Sequence, residues 1–280
     1  MSQFKKNHIR GFLSILWTAT ALALGLTLAA PARADFAVGL TAYQAGDFAA
    51  ALTEWRPLAE AGDAKAQFNL GVMYDQGRGV RQNLPTAMSW WQRAATNGHA
   101  RAQHTLAIAY LDRGKDAPSN NTTAVLWLEA ATDQGFPRSM YTLGKMHLIG
   151  LGVSVKPDRA FDLIHRAAQA GFAPAMYNLG KLHRDGVGSA PDAVAAAGWF
   201  GKAAARGYAK AQSHYARRLV EGDGIAKDEV EALKWAILAT RQGNEQAAEL
   251  RQDLEARLSM DAATEAMTSA DDFRATTSAK

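Results

Sequence analysis

From Ala64 onward the chain alternates between two apolar patterns, both at helical spacing. In AQFNLGVMYDQG, Ala66, Leu70, Met73 and Tyr74 share one face and the run stops at Gly77. In LPTAMSWWQRAATNG a second apolar run extends from about Pro85 to Asn97. Pro85 suits a first helical turn, and Gly98 suits the residue after a last one. The same halves return as MYTLGKMHLIG with DRAFDLIHRAAQAG, and as MYNLGKLHRDG with AVAAAGWFGKAAARG. The pattern therefore predicts antiparallel helix pairs, repeated along the chain.

The repetition has a period. Gly62, Gly98, Gly135, Gly171, Gly207 and Gly243 are spaced 36, 37, 36, 36 and 36 residues apart. Trp90, Trp127, Trp199 and Trp235 each stand eight residues before one of these glycines, with Leu163 in that place in the middle repeat. Ala66, Ala102, Ala175, Ala211 and Ala247 hold a third register. The expected organisation is a shortened first pair at 36–62, five units at 64–98, 100–135, 137–171, 173–207 and 209–243, a capping helix at 245–258, and a flexible tail at 259–280. The expected fold is all-α, an array of stacked antiparallel helix pairs. The apolar face of one helix pair is too large to leave wet and too small to fold alone, so neighbours must stack.

One loop invites a chemical reading. GRGVR, from Gly77 and Gly79 to Arg81, resembles the start of a phosphate cradle. Such a cradle is needed once. Here the loop returns as Gly150/Gly152, Gly186/Gly188 and Gly222/Gly224, always eight residues before an alanine and always between two predicted helices. In the second unit RGKD keeps Gly114 and has Asp116 for the second glycine. The loop is read as a hinge, in which glycine supplies backbone angles that other residues avoid. No Gly-x4-Gly-Lys-Ser/Thr pattern is present.

Charge and composition narrow the classes further. Lys5, Lys6 and Arg10 precede an apolar run from Gly11 to Ala30, and Ala32-Arg33-Ala34 has the form of a cleavage site, so residues 1–34 are expected to be a secretory signal peptide cut after Ala34. An uncleaved membrane anchor is the alternative, because the run is about long enough to span a bilayer. The leader holds four of the 31 basic residues and none of the 27 acidic ones. The remainder is balanced, so nucleic acid and anionic membrane surfaces are not expected partners. The chain has no cysteine, which excludes disulfides, thiolate metal sites and cysteine nucleophiles. The expected location is periplasmic or secreted.

The motif A-x-x-x-L-G-x-x-Y-x-x-G-x-G-V at Ala66–Val80, followed by A-x-x-W-x-x-x-A-A-x-x-G at Ala87–Gly98, resembles the Sel-one-like repeat, a relative of the tetratricopeptide repeat. The resemblance covers about residues 36–258. It departs in the second unit, with its insertion and APSNNTTA loop, and in the middle unit, which lacks the Trp. The resemblance implies a right-handed α-solenoid that serves as a scaffold for protein–protein contacts, without catalytic residues or cofactor. Bacterial members commonly work in the envelope, so the expected role is a periplasmic adaptor or regulator of a signalling, polysaccharide or cell-wall system. The alternative is a repeat protein that binds peptidoglycan or other carbohydrate, or hydrolyses beta-lactams. Relatives of that second kind are disulfide-rich, unlike this chain.

Individual residues are read within that frame. His183-Arg184-Asp185 matches the start of a kinase catalytic loop but lacks the Leu and Asn that must follow. His147 and His183 occupy the place of Tyr74 and Tyr110 and read as packed rings rather than metal ligands; no metal site is expected. The Trp row reads as core, with a sugar-binding ladder as the alternative and Trp127→Ala as a costly change. The candidate partner-binding residues lie on the other face of the first helices: Phe68, Asn69, Val72, His104, Ile108, Tyr141, Lys145, Tyr177, Asn178, Lys181, His214 and Arg217. The row begins apolar and turns basic, with aromatics beside it. That mixture suits an extended protein segment with an acidic end.

Overall fold

The computed structural model of the protein describes residues 34–113 and 118–278. Residues 1–33 of the expected leader and the Gly114–Asp116 loop lie outside the described residues. Among the described residues there are fourteen helices and no strand. A first pair, α1 (Phe36–Gln44) and α2 (Phe48–Glu60), precedes five longer ones. These are α3 (Ala64–Gln76) with α4 (Leu84–Thr96), α5 (Ala100–Arg113) with α6 (Pro118–Asp133), and α7 (Pro137–Ile149) with α8 (Pro157–Gln169). Then come α9 (Ala173–Asp185) with α10 (Ala193–Ala205), and α11 (Ala209–Glu221) with α12 (Glu229–Thr240). The last helices are α13 (Glu245–Arg257) and α14 (Met260–Ser278). Each helix from α1 to α13 packs on its neighbours in chain order, and α14 packs on α12. This nearest-neighbour layout is that of a helical solenoid.

Local chemistry sets the helix ends. The Oδ1 atoms of Asp63, Asp192 and Asp228 each accept a backbone N–H of the first turn, at 2.7–2.9 Å. Gly77, Gly150, Gly186 and Gly222 end the first helices in the left-handed conformation, φ 67° to 74°. The second glycine of each loop has a separate task. Gly79 lies against Phe48, Gly152 against Asn121, Gly188 against Pro157 and Gly224 against Ala193. Each is the first turn of the preceding unit's second helix, so the loop is a hinge through which adjacent units touch.

The core departs from the expected Trp row. Trp90, Trp127 and Trp199 are half-buried, and Trp235 alone of the four is buried, with the Phe273 ring 5.2 Å away. Arg93 lies over Trp90 at 4.5 Å and Lys202 over Trp199 at 4.2 Å. The register that points inward is one residue later: Trp55, Trp91, Leu128, Ile164, Phe200 and Ala236. In four pairs this side chain fits over a glycine of the first helix, namely Gly39, Gly71, Gly144 and Gly180. A methyl group on Gly180 would fall 2.9 Å from the Phe200 ring. Where the equivalent first-helix residue is Ala107 or Ala216, the inward residue is Leu128 or Ala236 rather than an aromatic ring.

A polar device locks some units together. Gln67, Gln103 and Gln212 are buried and donate to the carbonyls of Ala59, Ala95 and Ala204 in the preceding second helix, at 2.9, 3.1 and 3.3 Å. Asn97, Gln134 and Gln242 in turn donate to those glutamine oxygens at 2.8–3.0 Å. Met140 and Met176 take the glutamine's place in the other two units, where apolar packing suffices.

The segment after Leu258, expected to be flexible, is helical. Ala266 and Ala270 of α14 are fully buried, and Arg241 Nη2 pairs with Asp271 Oδ1 at 2.7 Å. Its alanines and Phe273 recur at helical spacing, and small side chains let α14 lie close on α12. A small and polar composition therefore concealed one apolar stripe.

Candidate functional site

The first helices carry the candidate residues along one face of the array. At its start the face is mostly packed. Phe68 is buried and stacks on His99 with ring centroids 5.0 Å apart. Asn69 and Phe68 line a groove of about 590 Å³ together with Phe36, Leu40, Lys65 and Phe136. Residues from α1, α3 and the ends of later units thus share one hollow. Val72 is half-buried against the core that α3 and α4 form with the start of α5. His104 and Ile108 line a second, more apolar cleft of about 610 Å³.

Further along, polar bridges join the helices. Asn178 Nδ2 donates to the Tyr141 hydroxyl at 2.9 Å and to the Pro174 carbonyl at 2.8 Å. The Tyr177 hydroxyl lies 3.1 Å from His214 Nε2. Four of the expected residues are therefore tied to one another across α7, α9 and α11. The cations stand beside them. Lys145 and Arg217 are exposed and Lys181 is half-exposed; Lys145 Nζ lies 5.6 Å from the Tyr141 ring centre.

Electrostatics reinforce the pattern. Helices α7, α9 and α11 hold seven basic residues against two acidic ones. Arg184 pairs with Asp185 at 2.7 Å, and Arg218 with Asp223 at 2.9 Å. Arg138, Lys145, Lys181, Lys210 and Arg217 form no ion pair among the described residues. Burial, followed by the surrounding Arg184, Arg217, Lys181 and Arg218, pushes His214 down to about 4. Burial also raises the Tyr141 and Tyr177 hydroxyls, which stay protonated at neutral pH. The uncharged His214 ring can then accept a hydrogen bond donated by the Tyr177 hydroxyl.

Extending the helical face from Lys181 by three residues reaches Arg184, and moving back seven from Arg217 reaches Lys210; both were missed as site residues. Arg218 was missed for a different reason. It is buried, and its guanidinium lies 5.3 Å from the Phe200 ring centre, so it serves packing first. The histidines outside this face are packed rings. His147 is buried with Nδ1 3.1 Å from the Ser154 carbonyl, and His165 lies between Phe161 and Trp199. Among the described residues no three His, Cys, Asp or Glu side chains are grouped to hold a metal ion. Nor is any helix there long and apolar enough to cross a membrane.

Two folded-state histidines predict a pH response. His104 is also pushed down to about 4, by burial and then by Arg138. Both are lowered from 6.5, so between about 6.5 and 4 the unfolded chain binds protons that the folded chain does not. Stability is full above that window and is lost as pH falls through it. The melting temperature of a His104→Gln/His214→Gln variant should fall less than the parent's between pH 7 and 4.5. Parallel declines would remove these rings as the cause.

The family model of the Sel1 repeat matches residues 64–99, 100–136, 137–172, 173–208 and 209–244. Among solved structures, the chain is similar to c5321, a protective antigen present in uropathogenic Escherichia coli strains displaying an SLR fold. That likeness has a TM-score of 0.75 at 26% identity, covering 85% of this chain and 52% of the antigen. A Sel1 repeat protein from Oxalobacter formigenes superposes with a TM-score of 0.69 at 27% identity, covering 77% of this chain and 88% of that one. Shorter likenesses exist to an F-box protein of Arabidopsis thaliana, 39% identical over 70 residues, and to the chitin synthase regulator SKT5 of Saccharomyces cerevisiae, 44% identical over 48 residues. They cover 25% and 17% of this chain, and only 19% and 7% of those proteins.

Proposed function

Because the chain belongs to the Sel1 repeat family, we propose that this repeat scaffold binds a protein partner through its first helices, taking an extended acidic segment against α7, α9 and α11. The observation that carries this reading is the set of five cations without an ion pair among the described residues, beside the bridged Tyr141–Asn178 and Tyr177–His214 pairs. The bridges hold aromatic and amide groups in place before a partner arrives, which lowers the ordering cost of binding. The cations steer an acidic segment and fix its register. The role is binding rather than catalysis, as is typical of Sel1 repeat scaffolds.

We place this activity outside the cytoplasm, in an adaptor or regulator of an envelope system. The support is the basic start, apolar run and Ala-Arg-Ala end of residues 1–34. Amino-terminal sequencing of protein from a periplasmic fraction should read Asp35 first; an intact Met1 would contradict export by cleavage.

The partner test is a crosslinked pull-down from envelope extract with the parent and a Lys145→Glu/Lys181→Glu/Arg217→Glu variant that circular dichroism shows to be folded. The expected result is a protein recovered by the parent and depleted at least tenfold by the variant, in line with the cost of reversing charges at an interface. Equal recovery by both would reject the basic face as the site.

A further inference from the structure

The cleft before the basic stretch differs from it in chemistry. Trp91 lines it as a buried ring, Leu84 and Ile108 as partly exposed apolar side chains, and His104 as a half-buried one. Asp75 at the end of α3 and Asp112 near the end of α5 stand at its rim. Neither carboxylate joins an ion pair among the described residues, and none of the described residues lining the cleft is a lysine or arginine. His104 adds no positive charge at neutral pH, since burial and Arg138 hold its ring deprotonated. The result is an apolar hollow of about 610 Å³ under a negative rim, within the size range of built ligand pockets.

We propose that this cleft anchors an apolar side chain flanked by a lysine or arginine in an extended protein segment, and that it sets the direction in which the segment runs. The second half of the statement rests on the acidic-segment reading of α7–α11; the first half does not. Carboxylates without an ion pair among the described residues, beside an apolar wall, complement a cation next to an aliphatic or aromatic group. Removing that apolar group from water gives the affinity, and the carboxylates select the neighbour. Along the array the charged side chains on offer then change from the Asp75 and Asp112 carboxylates, with Arg138 beyond His104, to the Lys145, Lys181 and Arg217 row. A segment with its apolar–cationic element at one end and its acidic element at the other fits in one direction. Reversed, it would set like charges against like, which is how interfaces exclude wrong arrangements.

Fluorescein-labelled peptides titrated into the purified protein test this by anisotropy. One peptide is a glutamate tract; two others add a Leu-Lys-Leu element before or after the tract, and controls replace that element with alanine. The expected result is an affinity gain of about tenfold from the Leu-Lys-Leu element in one order only, the size of one buried anchor. Ile108→Glu should remove that gain, so that peptides with and without the Leu-Lys-Leu element bind it within about twofold of each other. Asp75→Asn/Asp112→Asn should weaken the gain and cut its salt dependence. A gain in neither order, an equal gain in both, or a gain unchanged by Ile108→Glu would overturn the proposal.

Failure of the glutamate tract to bind would overturn the acidic-segment reading by itself. The cleft is then judged from a peptide carrying benzoylphenylalanine in place of leucine beside a lysine. Crosslinks within 104–112 support the anchor, and crosslinks confined to other helices overturn it. If sedimentation shows a parent dimer that Ile108→Glu converts to a monomer, the occupant is a second copy of the chain and the proposal falls.

Discussion

Phe200→Ala is expected to lower the free energy of unfolding by about 3–5 kcal/mol, as truncation of a buried aromatic does. The side chain is fully buried over Gly180, with the His214 ring stacked at 5.3 Å and the Arg218 guanidinium at 5.3 Å. Removing it opens a cavity between α9 and α10 that the helices cannot close, because Gly180 offers no side chain to fill it. It also takes one wall from His214, and so loosens the bridge to Tyr177. Trp199→Ala, one residue earlier, should cost only about 1 kcal/mol, since that ring is half-buried and covered on one side by Lys202. Urea unfolding followed by circular dichroism measures both. Equal costs, or the larger cost at Trp199, would reverse the assignment of the inward register. Neighbouring units share the loss, because stability in such arrays is a sum of unit and interface contributions.

The second large effect concerns a hinge. Gly188→Ala should cost about 2–4 kcal/mol, combining an unfavourable left-handed backbone with overpacking. Gly188 has φ 74°, and an added methyl carbon would lie 2.7 Å from both the Pro157 carbonyl oxygen and the Phe161 Cβ. Gly98 has a similar φ of 80° and nothing within 4 Å of the added carbon. Gly98→Ala should therefore cost about 1 kcal/mol, the backbone contribution alone. The pair separates conformation from contact. A Gly188 cost no greater than the Gly98 cost would mean that the loop moves away from α8 freely, and that the hinges do not hold the units together.

Both predictions mark the boundary between what the chain states locally and what its folding decides. The helix pairs, the 36-residue step and the hinges were legible because they depend on spacing along the chain and on backbone angles that glycine alone tolerates readily. The same repeated motif carried the resemblance to the Sel1 repeat, which the family match bears out. The basic row Lys145, Lys181 and Arg217 was equally readable, since one period separates each from the next. Which of two adjacent aromatics faces inward was not. Trp90 and Trp91 lie next to each other near one apolar stripe, and only the approach of α3 at Gly71 selects Trp91. The tail was misread because its buried alanines acquire an apolar role only when α12 is there to receive them. The Asn178–Tyr141 and Tyr177–His214 bridges join residues 37 apart, and the apolar cleft gathers residues from α3, α4 and α5. Sequence by itself determined the element, its period and the residue types offered on each face. The tertiary structure decided which of those residues meet, because contact between units depends on crossing geometry that the chain spells out nowhere locally.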